Sequence, residues 1–353
     1  MQAPGQWATS LVVSELPASA DVVIIGGGFA GTATAWALQR SGVKHVIVLE
    51  REVQIGRFAS GRSAGLGRQL AEDDHTSALT VRGAALLRDL PAWSPTGGLL
   101  SFDDDANAQL YVDRAQRLGV GVEVGGAELV TSRWPMLADL RIVKALWVPS
   151  DGVIDVAALL QAFTAGVRVE LATGVRKVEP TATGANVITT RGTIAAKVVV
   201  DAAGAWAGET TAGVSLNSFK RHVFILDAGL EAAAPWVWHL GAGEMYLRAD
   251  GENVLASPCD GSPCAPGHQE PDLVGEAHLR KLLDEADSAL GGMPITRRWA
   301  CQRAFTEDRR MKIGRDTSRP WLVWAAGLGG HGATAAPAVG EAAAAAVVAA
   351  LRS

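Results

Sequence analysis

The chain contains short runs of apolar, β-branched residues that predict buried strands of a parallel sheet. Residues 21–25 and 45–49 are the first two runs, and a helical pattern of apolar positions lies between them at residues 32–40. Similar runs return at residues 196–201 and 322–326. Because parallel neighbours must be joined by a crossover, usually a helix, the first strand–helix–strand unit predicts a doubly wound α/β sheet.

The middle of the chain has a different pattern, in which shorter runs alternate apolar and polar positions between glycines. Residues 167–178 and 186–200 have this alternation, which is typical of strands with one buried face. The runs 245–248 and 253–256 flank an Asp-Gly pair, and such a pair between two strands predicts a hairpin. Helices are expected at the remaining long patterns, which are residues 107–118, 273–290 and 332–352.

Signals of a parallel sheet lie at both ends and in the centre of the chain, with antiparallel signals between them. A length of 353 residues also suggests about two domains. We therefore expect two domains built from interleaved segments. They are a doubly wound parallel-sheet domain from residues 20–98, 150–215 and 304–353, and a mostly antiparallel α+β domain from residues 99–149 and 216–303, preceded by an N-terminal arm of residues 1–19.

Composition excludes several classes of protein. The net charge of −5 supplies no basic surface for nucleic acid. Three cysteines without a Cys-x-x-Cys spacing argue against a disulfide framework and against zinc, so we expect no metal and a reducing, cytoplasmic location. Apolar runs are interrupted before about 18 residues, so no membrane span is expected, and residues 1–20 lack the pattern of a secretory signal.

The glycines after the first strand form the sequence G-x-G-x-x-G at Gly26, Gly28 and Gly31. The first permits a tight turn, the second lets a pyrophosphate approach the backbone, and the third lets helix and strand pack closely. Glu50 ends the second strand, where a carboxylate can bind the hydroxyls of an adenosine ribose. The strand, helix, second strand and acid together predict a dinucleotide site, although this motif alone does not separate NAD from FAD.

Four further segments follow in order, namely residues 56–65 (GRFASGRSAG), 149–155 (PSDGVID), 199–206 (VVDAAGAW) and 329–334 (GGHGAT). With the first motif, they resemble the D-amino acid oxidase-like family of FAD-dependent oxidoreductases, nearest its D-amino acid dehydrogenase and glycine oxidase branches. The resemblance extends over residues 20–352. It implies non-covalently bound FAD and a small amino acid substrate, and it leaves the electron acceptor unidentified.

The resemblance also implies which residues contact the cofactor. Free amides in the glycine-rich turn that opens the last helix would stabilise negative charge on the reduced flavin. A solvated surface charge is the alternative for Arg62. The residues expected to contact FAD are Gly26, Gly28, Phe29, Ala30, Gly31, Glu50, Arg51, Ser60, Arg62, Ser63, Ala64, Val175, Ala203, Gly204, Trp206, Gly329, Gly330, His331, Gly332 and Thr334.

Arg303 is the leading candidate for substrate binding. It lies in a mostly apolar run, residues 299–305 (WACQRAF), where an unpaired guanidinium would be costly. Such an arginine needs a fixed anion, and a substrate carboxylate matches its planar fork. It also matches the family arginine that holds that carboxylate. The alternative is an internal salt bridge to Asp308 or Asp316.

The resemblance points to two more residues at the substrate. Tyr246, on the predicted hairpin, matches a family position whose hydroxyl binds the carboxylate, with a packed aromatic as the alternative. His222 lies where relatives can carry a substrate contact, with a structural histidine as the alternative. Neither residue needs to act as a general base, because the expected reaction is hydride transfer from the substrate Cα to flavin N5, followed by hydrolysis of the imino acid in water.

Several other functions stay open at this point. Within the same family, they are a secondary-amine oxidase of the sarcosine type and a 2-hydroxy acid dehydrogenase. An NAD-dependent Rossmann dehydrogenase shares the first motif, but its purified protein would be colourless. A non-catalytic flavin-binding protein would be yellow, but no amino acid would bleach it.

Overall fold

The computed structural model describes residues 15–230, 234–286 and 288–353. The predicted N-terminal arm lies outside the described residues as far as residue 14. The described part contains seven α-helices, which are α1 (Phe29–Arg40), α2 (Asp74–Leu87), α3 (Asp105–Leu118), α4 (Ala127–Thr131), α5 (Val156–Thr164), α6 (Leu273–Glu285) and α7 (Gly332–Leu351).

Twenty strands in the described residues form three sheets of eight, nine and three strands. In chain order, they are β1 (Ser19–Ile25), β2 (Val46–Leu49), β3 (Leu66–Gly67), β4 (Trp93–Ser94), β5 (Gly98–Phe102), β6 (Glu123–Gly125), β7 (Lys144–Val148), β8 (Gly152–Ile154), β9 (Arg168–Glu170), β10 (Val175–Thr181), β11 (Gly184–Thr189), β12 (Gly192–Asp201), β13 (Asn217–Leu226), β14 (Trp236–Leu240), β15 (Met245–Asp250), β16 (Asn253–Ser257), β17 (Ser262–Pro263), β18 (Ile295–Phe305), β19 (Lys312–Arg315) and β20 (Leu322–Ala326).

The eight-stranded sheet confirms the predicted doubly wound core. Strand β1 pairs in parallel with β2 and β12, while β9 and β20 extend this parallel centre on either side. Ile25 lies opposite both Leu49 and Asp201, so the three strands end together. In an open parallel sheet, ligands bind outside the carboxyl ends of the strands, and the turns that follow these strands therefore meet at one site.

The turn between β1 and α1 depends on glycine at two positions. Gly26 has a φ of +109°, in the left-handed region that residues with a side chain rarely adopt. A Cβ atom on Gly31 would overlap the carbonyl oxygen of Gly26, so only glycine allows this close packing of helix and strand. Gly28 is the N-cap, and α1 begins at Phe29 instead of the predicted residue 32. The difference arises because apolar periodicity is visible only after the glycines.

Apolar side chains are buried on both faces of the parallel sheet. Val22 and Ile24 contact α1 and α7 on one face, whereas Val23 and Ile25 point to the other, as side chains alternate along a strand. Helix α7 packs tightly because a Cβ atom on Gly340 would overlap a carbonyl oxygen of α1. Within the described residues, α7 alone has the length and apolar composition of a membrane-crossing helix, and more than half of that stretch is buried in the fold.

The nine-stranded sheet confirms the predicted second region of mostly antiparallel strands. The expected hairpin is present as β15 and β16, with Asp250 opposite Asn253 and a turn through Gly251 at a φ of +65°. A long antiparallel pair, β13 and β18, places Phe219 opposite Arg303. Helix α6 ends at Glu285, before the predicted end at residue 290, and a separate 3-10 turn follows. The strands of the two large sheets come from interleaved segments, while the domain boundaries stay a prediction.

Candidate active site

A large cavity lies at the carboxyl ends of β1, β2, β12 and β20. Its empty volume, including the part that is open to solvent, is about 1430 Å³. Fifteen of the residues predicted to contact a dinucleotide line it. They are Gly26, Gly28, Phe29, Ala30, Glu50, Arg51, Ser60, Ser63, Val175, Ala203, Gly204, Trp206, Gly329, Gly330 and Gly332.

The N-terminus of α1 opens into this first cavity. The amide of Phe29 donates to Ser60 Oγ at 2.9 Å, and the N-cap Gly28 has no side chain to satisfy the other amides. The first turn also carries no acidic residue. Unsatisfied amides together with the helix dipole favour an anion, so this end of the cavity suits a pyrophosphate.

Glu50 lies beside that turn at the end of β2. Its Oε2 accepts from the amide of Gly27 at 2.7 Å, and its Oε1 accepts from the amide of Glu52 at 2.9 Å. Burial raises the pKa of Glu50, while the two amide donors oppose the shift. Because each carboxylate oxygen accepts more than one hydrogen bond, Glu50 can still accept from ribose hydroxyls.

An aromatic group closes the same end of the cavity. The Arg51 guanidinium lies 3.7 Å from the centroid of the Trp206 ring and 5.0 Å from that of Phe58. The two rings are themselves 4.7 Å apart. These contacts give a rigid wall for a flat, electron-rich group such as an adenine.

The turn before α7 also lines the first cavity. Gly329 and Gly330 have φ values of +55° and +92°, and α7 begins at Gly332 without a side-chain cap. A second helix N-terminus therefore faces the cavity. The helix begins where the sequence predicts, and Pro337 lies in its second turn.

Arg303, on β18, lines this cavity and a second, smaller one beside it with an empty volume of about 390 Å³. No acidic side chain forms an ion pair with Arg303 within the described residues. The two acids that the sequence offered as salt-bridge partners of Arg303 have other partners. Asp308 accepts from Thr306, and Asp316 pairs with Arg319 at 2.8 Å. The internal salt bridge expected as the alternative is thus not formed.

Tyr246, on β15, lines the second cavity. It is 1% exposed, and its hydroxyl has no hydrogen-bond partner among the residues that the structure describes. Burial raises the pKa of the phenol, and the positive charge of Arg303 opposes that rise. The ring packs against Trp238 at a centroid distance of 4.9 Å, so Tyr246 is both a packed aromatic and an unsatisfied donor.

Three residues that were predicted to contact the cofactor line the second cavity instead of the first. They are Ala64, His331 and Thr334. The Thr334 hydroxyl donates to the carbonyl of Leu66 at 3.0 Å, which ties the start of α7 to β3. His331 Nε2 lies 3.1 Å from Glu72 Oε2, so this histidine belongs to a charged cluster at the second cavity.

Neither cavity is lined by Gly31 or Arg62. Gly31 packs against the carbonyl of Gly26, which is the structural part of the glycine motif. Arg62 Nη1 donates to the carbonyl of Ala300 at 2.8 Å, and its Nη2 lies 2.6 Å from His268 Nδ1. The Arg62 side chain therefore joins its loop to the nine-stranded sheet, which argues against the expected cofactor contact.

His222 is also held away from both cavities. Its Nδ1 lies 2.7 Å from Asp260 Oδ2, and its Nε2 accepts from the amide of Asp272 at 3.1 Å. The ring stacks on Phe224, and His222 as a whole is 2% exposed. Both ring nitrogens are engaged by residues next to the nine-stranded sheet, which argues against the expected substrate contact and for the structural alternative.

Several lining residues were not among the predicted cofactor and substrate contacts. Phe58 lines the first cavity, Arg68 and Trp238 line the second, and Cys301 lines the first as a buried free thiol. One signal for Arg68 was available, since it is a lone arginine in the small and apolar run GLGRQLA, the same context that indicated Arg303. The described residues contain no cluster of three His, Cys, Asp or Glu side chains that could hold a metal.

Together, the fold and the two joined cavities define a dinucleotide-dependent enzyme with a small-molecule pocket beside its cofactor. The chain belongs to the DAO family of FAD dependent oxidoreductases, whose sequence profile matches residues 21–346. The cofactor is therefore FAD, and the chain is a flavoenzyme.

Relatives of known activity agree with this assignment. A glycine oxidase from Bacillus licheniformis is 28% identical over 358 residues, covering 91% of this chain and 91% of that enzyme. The mitochondrial sarcosine dehydrogenase of Mus musculus is 28% identical over 281 residues, covering 70% of this chain but only 30% of the longer enzyme. Among solved structures, L-proline dehydrogenase from P. horikoshii has a TM-score of 0.85, with 25% identity and 93% of each chain covered.

The glycine motif gives a prediction about cofactor binding. We expect Gly31→Ala to lose most of its bound FAD, because the new Cβ would force α1 away from the carbonyl of Gly26. The flavin absorbance per mole of purified protein measures this. Gly121→Ala is the matched control, since a Cβ there meets nothing within 4 Å. Full flavin content in Gly31→Ala would contradict the prediction.

Proposed function

We propose that this protein oxidises the CH–NH bond of a small amino acid, a D-amino acid or one resembling glycine, to the imino acid while its FAD is reduced. The observation that carries the proposal is Arg303, a guanidinium without an acidic partner among the described residues, where the two cavities join. An unpaired charge in an apolar wall is costly unless a ligand supplies the counter-charge. A substrate carboxylate supplies it with matching geometry.

The residues of the first cavity fit FAD. The α1 N-terminus suits the pyrophosphate, Glu50 the ribose and the Arg51–Trp206 wall the adenine, while the α7 N-terminus stabilises negative charge at the flavin end. When bound, FAD supplies the two-electron acceptor for the substrate. Burial raises the pKa of Cys301 and keeps it a thiol at neutral pH, so we propose that the cofactor is held without a covalent bond.

The side chains of this chain have a limited task in the reaction. Arg303 binds the substrate carboxylate, and the Tyr246 hydroxyl donates a further hydrogen bond to it. Together, they orient the substrate Cα towards the first cavity, which is the kind of positioning that accelerates a reaction without a general base. The buried apolar neighbours of Tyr246 limit the access of water.

The relatives support an amino acid as substrate without identifying which one. The names of the glycine oxidase and the sarcosine dehydrogenase describe oxidation of small amino acids, with a primary or a secondary amine. A secondary-amine substrate is therefore the second candidate. Three free thiols in the described residues are in keeping with the proposed cytoplasmic location.

Anaerobic bleaching of the flavin tests the proposal. The FAD-loaded protein is mixed with single D- and L-amino acids, glycine, N-methylglycine and 2-hydroxy acids, and the flavin absorbance is followed. We expect at least one small amino acid to bleach it. Bleaching by 2-hydroxy acids alone would favour the dehydrogenase alternative. A yellow protein that no compound bleaches would favour a non-catalytic flavin-binding protein.

Tyr246→Phe separates substrate binding from stability. Loss of one hydrogen bond to a carboxylate should raise KM by roughly 10- to 150-fold, since such a bond contributes about 1.5–3 kcal/mol. Thermal stability should change little, because the buried hydroxyl has no hydrogen-bond partner of ordinary geometry among the described residues. Tyr111→Phe is the matched control, a second buried tyrosine outside both cavities. An unchanged KM in Tyr246→Phe would remove this hydroxyl from the substrate site.

A further inference from the structure

The second cavity contains a guanidinium that the proposed reaction does not use. Arg68 lines this cavity together with Arg303 and Tyr246. It is 2% exposed, so water does not satisfy its donors. An arginine buried this deeply needs acceptors for its five N–H groups.

Only part of the Arg68 guanidinium is satisfied by the protein. Its Nη2 donates to Glu72 Oε1 at 2.5 Å and lies 3.3 Å from His331 Nε2. Its Nε and Nη1 are buried and have no acceptor among the described residues. Leaving such donors unpaired costs free energy, and more so for a charged group. The three hydrogens on these atoms therefore indicate a missing acceptor, one that a ligand of the cavity can supply.

The position of this guanidinium is fixed from several sides. It stacks on the Trp238 ring at 4.1 Å from the centroid. The indole of Trp238 is itself held, since its Nε1 donates to Glu244 Oε1 at 2.8 Å. In the register of β14 and β15, Trp238 lies opposite Tyr246. A donor group fixed in this way selects for shape as well as for charge.

The charge around Arg68 differs from that around Arg303. Glu72 balances the Arg68 charge, and Arg68 and His331 hold the pKa of Glu72 well below its usual range. The Glu244 carboxylate is a second negative group nearby. Arg303 has no such acidic partner within the described residues. Arg303 is therefore suited to an anion, whereas Arg68 offers hydrogen bonds with little net charge.

From these observations, and resting on the proposed function, we propose that the second cavity binds the side chain of the substrate amino acid through a carbonyl oxygen. The Arg68 Nε and Nη1 donate to this oxygen, while Arg303 holds the α-carboxylate. Because Glu72 and Glu244 lie nearby, a neutral carboxamide is preferred to a second carboxylate. The structure thus points to polar amino acids with a side-chain amide in preference to aliphatic ones.

Ligands that cannot be oxidised test this independently of turnover. The FAD-loaded protein is titrated with succinamate, succinate and 4-methylpentanoate, and the change in flavin absorbance gives each Kd. Succinamate and 4-methylpentanoate have nearly the same shape, but only succinamate carries an amide. We expect succinamate to bind at least tenfold more tightly than 4-methylpentanoate and more tightly than succinate. Equal binding of the first two, or tighter binding of succinate, would overturn the proposal.

Variants of Arg68 test whether its Nε and Nη1 donors cause the preference for the amide ligand. In Arg68→Met, the ratio of the Kd values of 4-methylpentanoate and succinamate should fall to within about threefold of unity. Arg68→Lys keeps the positive charge beside Glu72 but lacks the Nε and Nη1 donors, so it should lose the preference while retaining the fold. Arg82→Met is the matched control, because Arg82 also lies near α7 and pairs with a glutamate, Glu341, outside both cavities.

The outcomes separate the two proposals. An unchanged ratio in both Arg68 variants, with or without weaker FAD binding, would overturn the role given to Arg68. The expected binding pattern, combined with the failure of every amino acid to bleach the flavin, would leave the pocket preference standing and remove the proposed oxidation.

Discussion

Arg303→Met should raise KM for the amino acid substrate by roughly 10²–10³-fold while FAD stays bound. Truncating one partner of a buried, hydrogen-bonded charge pair costs about 2–5 kcal/mol, and each 1.4 kcal/mol is a factor of ten. Methionine keeps most of the side-chain volume, so the wall shared by the two cavities stays filled. Steady-state kinetics with the best substrate of the bleaching screen, together with the flavin content, measures both effects.

Arg298→Met is the matched control for this change. Arg298 lies on the same strand, β18, but its side chain is 42% exposed and pairs with Glu276. Exposed ion pairs contribute little, so neither KM nor the flavin content should change by more than a small factor. An Arg303→Met enzyme with the KM of the wild type would show that the substrate carboxylate binds elsewhere.

Stability should decrease as the pH rises from about 4 to about 7, because of Asp151. This residue follows β7 and is fully buried. Its Oδ1 accepts from the backbone amide of Gln69 at 3.1 Å and from Gln69 Nε2 at 2.8 Å. Burial raises its pKa to about 7, from an ordinary value of 3.8. Between these two pH values the folded state binds the proton and the unfolded state releases it, so the folded state loses stability as the pH rises.

Asp151→Asn should remove this part of the pH dependence. The shift of about three pH units corresponds to about 4 kcal/mol. Between pH 4 and pH 8, the free energy of unfolding of the variant should therefore gain up to about that amount relative to the wild type. The amide keeps the oxygen that Gln69 uses and cannot ionise. Urea unfolding of the FAD-loaded protein at several pH values gives the free energy of unfolding.

The control for Asp151 is a nearby exposed acid. Asp155 caps α5 by accepting from the amide of Ala158 at 3.0 Å, and asparagine caps a helix about as well. Asp155→Asn should therefore keep the wild-type dependence of stability on pH. If Asp151→Asn followed that same curve, ionisation of Asp151 would not be the cause.

Local sequence was sufficient for the parts of the site that depend on backbone geometry. The turn at Gly26 and Gly28 and the carboxylate of Glu50 follow from a strand, a helix and a second strand that are close in the chain. Arg303 was predicted because a charge in an apolar strand needs a partner. In each case, the physical requirement is visible within about thirty residues of sequence.

The remaining parts depend on partners that are distant in the chain. Arg62 meets the carbonyl of Ala300, and His222 meets Asp260, so no local pattern shows that these polar groups are already satisfied. Arg68 is the opposite case, because its unsatisfied donors become visible only when Trp238 and the second cavity are in place. The sequence therefore predicted more of the residues that line the first cavity than of those that line the second.

The first cavity is walled by turns from opposite ends of the described chain, those at Gly26 and at Gly329. Strand β20 pairs with β12, although most strands of the nine-stranded sheet lie between them in the chain. During translation, a nascent chain therefore has no complete receptor for the flavin until residues 322–351 have left the ribosome. Complete cofactor binding consequently requires that residues 322–351 have been synthesised and have joined the parallel sheet.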